Sequence, residues 1–308
     1  MIALGFDTSN YTTSCAAYDG EAGENQSKLL DVKPGELGLR QSDALFSHIK
    51  RLPELSDRLF AHIDPAQIRA VGVSTRPRAV EGSYMPCFMA GWSQASVLAA
   101  ALHVPLREFS HQQGHIAAVL HSAGREDLYE RPFLAWHLSG GTTELLLTTP
   151  ETGSFRCEKI GGTTDISAGQ LIDRTGQLLS MPFPAGKALD AASEQTQTRD
   201  LFRVKVTDFS FSFSGVQNKV QDYYRKTEDA NAAAYYALAS VVEAVRTATK
   251  NARKRYPGYP VLFSGGVASN SMLRRRLADL DAGFGEPRYS TDNALGIAVL
   301  TYRAEAGV

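Results

Sequence analysis

Cysteine is scarce in this 308-residue chain: Cys15, Cys87 and Cys157, far apart and odd in number. Such usage excludes a disulfide framework or a thiolate zinc site and points to a reducing compartment. An excess of charge of one sign is also missing. With 32 basic against 33 acidic side chains and a formal charge of -1, the chain is no strongly basic nucleic-acid binder, although a local basic face remains open. No apolar run approaches the roughly 20 residues of a membrane helix. The opening MIALGFDTSN has no basic segment and carries an acid at position 7, so it does not read as a signal peptide. A cytoplasmic protein is expected. What is present is ordinary: 43% hydrophobic residues beside 21% charged ones, enough for sizeable cores. At roughly 150 residues per domain, the length suggests two domains.

A short apolar strand, Ile2 to Phe6, runs into the polar turn Asp7-Thr8-Ser9-Asn10 and a second strand from Thr13 to Tyr18. The pattern returns in mid-chain, where strand Phe133 to Leu138, turn Ser139-Gly140-Gly141-Thr142-Thr143 and strand Glu144 to Thr148 follow one another. Two such units suggest a duplicated domain. Apolar spacing predicts helices over Ser42 to Arg58, with Leu45, Ile49, Leu52 and Leu55 inward, over Gly91 to Leu102, and over Asn231 to Tyr256. Asn270 to Leu280 reads as a further helix, and Ala123 to Arg131 as the linker. Strands alternating with helices mark an α/β protein.

Three glycine turns, Ser139-Gly140-Gly141, Pro184-Ala185-Gly186 and Ser264-Gly265-Gly266, are read as following strands. Glycine lets a backbone approach phosphate or sugar closely, so three together favour a nucleotide cleft over three ordinary turns. Neither a P-loop nor a GxGxxG fingerprint is present. His111 and His115 stand at i and i+4 in H-Q-Q-G-H, which on a helix puts both imidazoles on one face, within reach of one metal. A metallopeptidase would need Glu at the place of Gln112, which cannot take a proton, so that chemistry fails. Asp292, just ahead of an apolar stretch, reads either as a helix N-cap or as a third, carboxylate ligand. Arg274-Arg275-Arg276 with Lys250 to Arg255 form either a basic face for RNA phosphates or ordinary solvated helix faces.

Several segments together resemble one family. These are D-T-S at 7–9, H-x-x-x-H at 111–115, H-L-S-G-G at 137–141, P-F-P-A-G at 182–186, D-F-S-F-S-F-S-G at 208–215, G-G-V-A-S-N at 265–270 and S-T-D-N-A at 290–294. In order and spacing they resemble the TsaD-type tRNA threonylcarbamoyladenosine synthases, once labelled O-sialoglycoprotein endopeptidases. The resemblance implies the actin-like ATPase (ASKHA) fold, two duplicated RNase H-like lobes around a nucleotide and metal cleft. It assigns residues 1–115 to an N-terminal lobe, 116–292 to a C-terminal lobe, and a final helix near 293–308 to the first. It implies a carbamoyl-type acyltransferase that moves a threonylcarbamoyl group from its adenylate to the exocyclic amine of the adenosine beside the anticodon of tRNA; the alternatives are a diverged carbamoyltransferase with another acceptor and a non-catalytic nucleotide-binding scaffold. The metal ligands it implies are His111, His115 and Asp292, with iron or zinc as the ion. Leu138, Ser139, Gly140, Gly141, Asp173, Gly186 and Asn270 would hold the adenylate, and TsaB-like and TsaE-like subunits would be partners. The chain departs from the family at Tyr11, Thr12, Gln113 and Gln170, where acids are usual, and at Arg76-Pro77-Arg78, where a glycine turn is usual. Acids lost near a metal leave it more of its charge, so tighter adenylate binding and weaker transfer are expected.

Overall fold

The computed structural model describes residues 1–9, 11–31 and 39–307; Asn10 of the first turn lies outside them. Among these residues the chain forms two sheets. The first runs β3-β2-β1-β4-β5, from β1 (Ile2–Thr8), β2 (Thr12–Tyr18), β3 (Gly23–Leu29), β4 (Ile68–Arg76) and β5 (Leu106–Ser110). The second runs β11-β10-β6-β7-β8-β9, from β6 (Phe133–Leu138), β7 (Thr143–Glu151), β8 (Ser154–Thr163), β9 (Ser210–Phe211), β10 (Val261–Ser264) and β11 (Ala282–Phe284). The same wiring recurs in both. An antiparallel hairpin, β1–β2 or β6–β7, is extended by two parallel strands on its first member, β4 and β5 or β10 and β11. The duplication suggested by the two polar hairpins is therefore present in the topology, and β9 is an addition to the second copy.

The helices are α1 (Gln41–Phe60), α2 (Phe88–Leu102), α3 (His111–Ser122), α4 (Ala168–Leu178), α5 (Gly186–Ser193), α6 (Ser214–Thr227), α7 (Ala230–Arg255), α8 (Ser271–Leu277), α9 (Pro287–Ser290) and α10 (Leu295–Ala306). No helix among the described residues is long and apolar enough to cross a membrane. Two compact units result: Met1–Arg131 with Thr149–Cys157 and Arg288–Val308, and Pro132–Thr148 with Glu158–Pro287. The expected boundary at 115/116 falls inside α3, whose continuous hydrogen bonding keeps it in the first unit. The expected linker instead contains a 3-10 turn, Glu126–Tyr129, with Leu128 and Tyr129 buried. In unit 1 the apolar side chains of β1 and β4 pack with Leu52, Leu55 and Leu59 of α1 and Ala95 and Ala99 of α2. In unit 2, α7 is the central helix: Leu238, Val241, Val242 and Val245 pack against Trp136, Phe211 and Phe263.

Two expectations change. The inward face of α1 is Ala44, His48, Leu52, Leu55, Ser56 and Leu59, while Ile49 is exposed. A small residue and a buried histidine on that face are invisible to apolar periodicity. The turn at 184–186 follows helix α4, not a strand, and leads into α5.

Candidate functional site

In unit 1 the site is assembled by backbone packing. Helix α3 begins at His111, behind a capping box in which Ser110 accepts from the Gln113 amide and the Gln113 side chain accepts from the Ser110 amide. His111 and His115 therefore lie one turn apart on one face, with ring centroids 4.4 Å apart. Asp292 arrives from the other end of the sequence because α10 lies directly against α3. A Cβ on Gly296 would overlap the Gly114 carbonyl oxygen, and one on Gly114 would meet the Ile297 side chain at 2.8 Å. Only glycine at position 296 permits that approach, because its neighbours there are backbone atoms.

Asp292 is not a helix cap. Helix α10 starts three residues later, behind Ala294 with no side-chain cap, while Asn293 accepts from the Leu295 amide. The Asp292 carboxylate instead lies 3.0 Å from His115 Nε2 and 3.6 Å from His111 Nε2, and accepts from the Ser9 hydroxyl at 3.2 Å. One donor atom from each of His111, His115 and Asp292 lies within 4.8 Å of the other two. Two imidazole nitrogens and a carboxylate oxygen are a donor set that suits iron, zinc and several other ions, and so fits one divalent ion.

Asp7 was in view only as part of a polar turn, and its position gives it a second role. It is 1% exposed, and its Oδ2 lies 2.8 Å from His111 Nδ1 while its Oδ1 accepts from the Ser9 amide. A carboxylate on Nδ1 leaves Nε2 as the nitrogen that faces Asp292 and His115, the usual way a metal-binding histidine is oriented. Burial, the largest influence, opposes charge on His111. Asp7, by charge and hydrogen bond, and Asp292 outweigh it and hold the imidazolium up to about 9. Burial likewise opposes the Asp292 carboxylate, but His115, His111 and Ser9 hold it well below the usual carboxylate range.

The neutral residues in place of family acids have other duties. Gln113 Nε2 donates to the Phe155 carbonyl at 3.0 Å and to the Ser154 hydroxyl at 3.2 Å, tying α3 to the β7–β8 hairpin. Gln170 fills the matching place in the capping box of α4, with Ser167 as partner. Both are helix-capping residues, each accepting from its N-cap amide. Arg76 and Arg78 are exposed, and the Pro77 carbonyl between them accepts from the Gln112 amide, so the turn does border α3.

Unit 2 holds the residues expected to bind the adenylate. Strand β6 ends at Leu138, and the turn closes where Ser139 donates to the Thr142 carbonyl and the Thr142 amide to Ser139 Oγ. Cβ positions at Gly140, Gly141, Gly186 and Gly266 meet nothing within 4 Å, so these backbones face open space. Gly265 has φ +88°, and a Cβ there would overlap the Leu138 carbonyl, which seats the turn after β10 against the end of β6. Asp173 accepts from the Ala185 amide at 2.8 Å and so fixes the start of α5 at Gly186. Asn270 Oδ1 caps α8 through the Leu273 amide. Asp190, which sequence reasoning missed, accepts from the amide and hydroxyl of Ser271 and ties α5 to α8 beside Asn270. Nothing in the local sequence marks Asp190, because its partner is 81 residues away.

The triple arginine is largely spent within the fold. Arg274 donates to Ala268 and Gly285 carbonyls, Arg275 pairs with Glu194, and Arg276 bonds the Tyr235 hydroxyl. Lys250 and Lys254, exposed at the end of α7, make no ion pair among the described residues.

Comparison with known proteins identifies the family and the fold. A family model, "TsaD: tRNA N6-adenosine threonylcarbamoyltransferase", matches residues 33–299. The protein of that name from Salinibacter ruber is 31% identical over 322 aligned positions, covering 97% of this chain and 92% of its own. That from Carboxydothermus hydrogenoformans is 32% identical over 267, covering 83% and 77%. Among solved structures, full-length HypF in its phosphate- and nucleotide-bound form aligns with 99% of this chain and 46% of its own, at TM-score 0.64 and 14% identity. The activator of the 2-hydroxyisocaproyl-CoA dehydratase from Clostridium difficile aligns with 99% and 97%, at TM-score 0.55 and 13% identity. The structural likeness shows the fold, that of the actin-like ATPases, and the sequence likeness shows the family: this chain belongs to the TsaD family of tRNA N6-adenosine threonylcarbamoyltransferases, enzymes that are not peptidases.

Proposed function

We propose that this chain transfers a threonylcarbamoyl group from threonylcarbamoyl-adenylate to the exocyclic amine of the adenosine beside the anticodon of tRNA. The observation that carries the reading is the convergence of His111, His115 and Asp292 on one point in a chain of this family. In the reaction the bond between the carbamoyl carbon and the phosphate oxygen breaks, the bond to the adenosine nitrogen forms, and adenylate leaves with its electron pair while the amine loses a proton. His111, His115 and Asp292 would hold one iron or zinc ion, which supplies Lewis-acid polarisation of a carbonyl or phosphate oxygen. Asp7 and Ser9 orient two of those ligands, so their geometry is set before substrate arrives. The backbones of Leu138 to Gly141, Gly186 and Gly266 would cradle the adenylate, with Asp173 and Asn270 fixing the helix starts around it.

Lys250 and Lys254 support contact with tRNA phosphates. TsaB-like and TsaE-like subunits complete the reading; exposed Phe46 and Ile49 on α1 and Met89, Trp92 and Val97 on α2 support a protein partner on unit 1. Three free cysteines, Cys15 and Cys87 with thiols pushed up to about 12 by burial, suit a reducing cytoplasm. The reading is tested by mass spectrometry of tRNA nucleosides from cells lacking the gene. Loss of threonylcarbamoyladenosine, restored by the wild-type chain and not by Asp292→Ala, is expected. An unchanged nucleoside pool, in a genome without a second family copy, would contradict it. Replacing Gly266 with Val, where a side chain meets open space, should weaken adenylate binding in calorimetry while the melting temperature stays within a few degrees; unchanged affinity would remove that turn from the site.

A further inference from the structure

Away from the histidine site, unit 1 contains a cavity of about 510 Å³ bounded by the Tyr129–Glu130 turn, the β7–β8 hairpin at 150–154 and the last turns of α10. Two of its lining residues hold a buried polar atom that has no partner among the described residues. Tyr129 is 5% exposed and its hydroxyl makes no hydrogen bond among them; Arg303 Nε is likewise buried and unbonded. The Arg303 guanidinium lies 3.9 Å from the centre of the Tyr129 ring and makes no ion pair or hydrogen bond among the described residues. Leaving a buried donor unsatisfied costs about 1–3 kcal/mol, and more when it is charged, so native structures rarely keep two side by side without a use. Burial pushes the Tyr129 phenol up, with Glu126 and Tyr18 in the same direction and Arg303 against it, so it remains a neutral donor.

The same cavity is lined by Glu130 and Glu151, both exposed and neither in an ion pair among the described residues. The wall therefore carries an unsatisfied cationic donor pair and two free carboxylates. A phosphate would meet one cation against two acids, and a simple amine would meet Arg303. A molecule with a carboxylate at one end and an ammonium at the other satisfies both.

We propose that this cavity binds a small zwitterion of the free amino-acid class, its carboxylate on the Arg303 guanidinium and Tyr129 hydroxyl and its ammonium towards Glu130 and Glu151. None of these residues belongs to the metal or glycine-turn sites, so the proposal stands apart from the transfer reaction.

The test is ligand-observed NMR on the full chain with each proteinogenic L-amino acid at millimolar concentration, and with propionate, ethylammonium and inorganic phosphate as one-ended probes. At least one amino acid should bind, and more tightly than any one-ended probe. Arg303→Met and Tyr129→Phe should each weaken that binding by about tenfold or more, the size expected for a charge-assisted hydrogen bond. Tyr129→Phe keeps the ring under Arg303, so without ligand it should melt at the wild-type temperature or above, which separates lost binding from lost folding. Binding by no amino acid, equal affinity in the folded Tyr129→Phe variant, or propionate or phosphate binding as tightly as the best amino acid would each overturn the proposal.

Discussion

Asp7 decides which nitrogen of His111 is free to act. Its carboxylate, at 2.8 Å from Nδ1 and almost wholly buried, leaves Nε2 pointing at Asp292. Asp7→Ala should lower zinc affinity by about 10–100-fold, the usual effect of removing a carboxylate behind a histidine ligand. Metal titration of the folded variant measures it, and an unchanged affinity would make Asp7 a structural residue only. Gln113 gives the opposite case. Restoring the family's acid as Gln113→Glu keeps the capping box but removes the donor to the Phe155 carbonyl, so stability should fall by about 1 kcal/mol with zinc affinity unmoved; a clear change in affinity would return position 113 to the metal's surroundings. His48 contributes to acid sensitivity. Burial depresses its imidazole from 6.5 to about 4, with Arg51 in the same direction and the Ser9 backbone and Asp7 opposing. The unfolded chain therefore takes up a proton below 6.5 that the folded chain refuses until about 4. The His48 contribution to stability is full above that window and is lost as pH falls through it, by about 3 kcal/mol. Urea unfolding at neutral and mildly acid pH should show this slope in the wild type and a smaller one in His48→Gln.

Elements place these residues through close backbone contacts. Helix α10 reaches α3 so closely because Gly296 lacks a side chain. Gly296→Ala should destabilise unit 1 by about 1–3 kcal/mol or more and weaken zinc binding by moving Asp292 away; thermal melting with metal titration reads both, and a variant binding zinc like the wild type would show that the helices can part without cost to the site. The sequence made some of this legible and hid the rest for physical reasons. Local features were readable: the two polar hairpins, the i, i+4 histidines on a helix, and the long apolar stripe of α7 all express themselves within a few residues. The Asp7–His111 and Asp190–Ser271 contacts join residues 104 and 81 positions apart, and no local pattern reports them. Asp292 had two equally good local readings, which only the start of α10 at Leu295 resolves. The capping duties of Gln113 and Gln170 are not legible from comparison with family acids, which says which residue changed and not which way its side chain points.

At the scale of the whole chain, one wiring used twice has been given two different endings. In unit 1 the end of β1 carries Asp7 and the turn after it Ser9, and they meet His111 and Asp292. In unit 2 the equivalent turn after β6 carries the glycines at 140 and 141, with open space above their backbones. The first ending suits a cation and the second an anionic nucleotide, which together are what an adenylate-dependent acyl transfer requires. Single-turnover transfer tests that claim most directly: the purified chain, loaded with iron or zinc and given threonylcarbamoyl-adenylate, unmodified tRNA and any required partner subunits, is assayed by nucleoside mass spectrometry. The account predicts threonylcarbamoyladenosine at the position beside the anticodon, formed by the wild type and lost in His115→Ala and Asp292→Ala. Absence of the product with the wild type under these conditions, or equal product with the ligand variants, would contradict it.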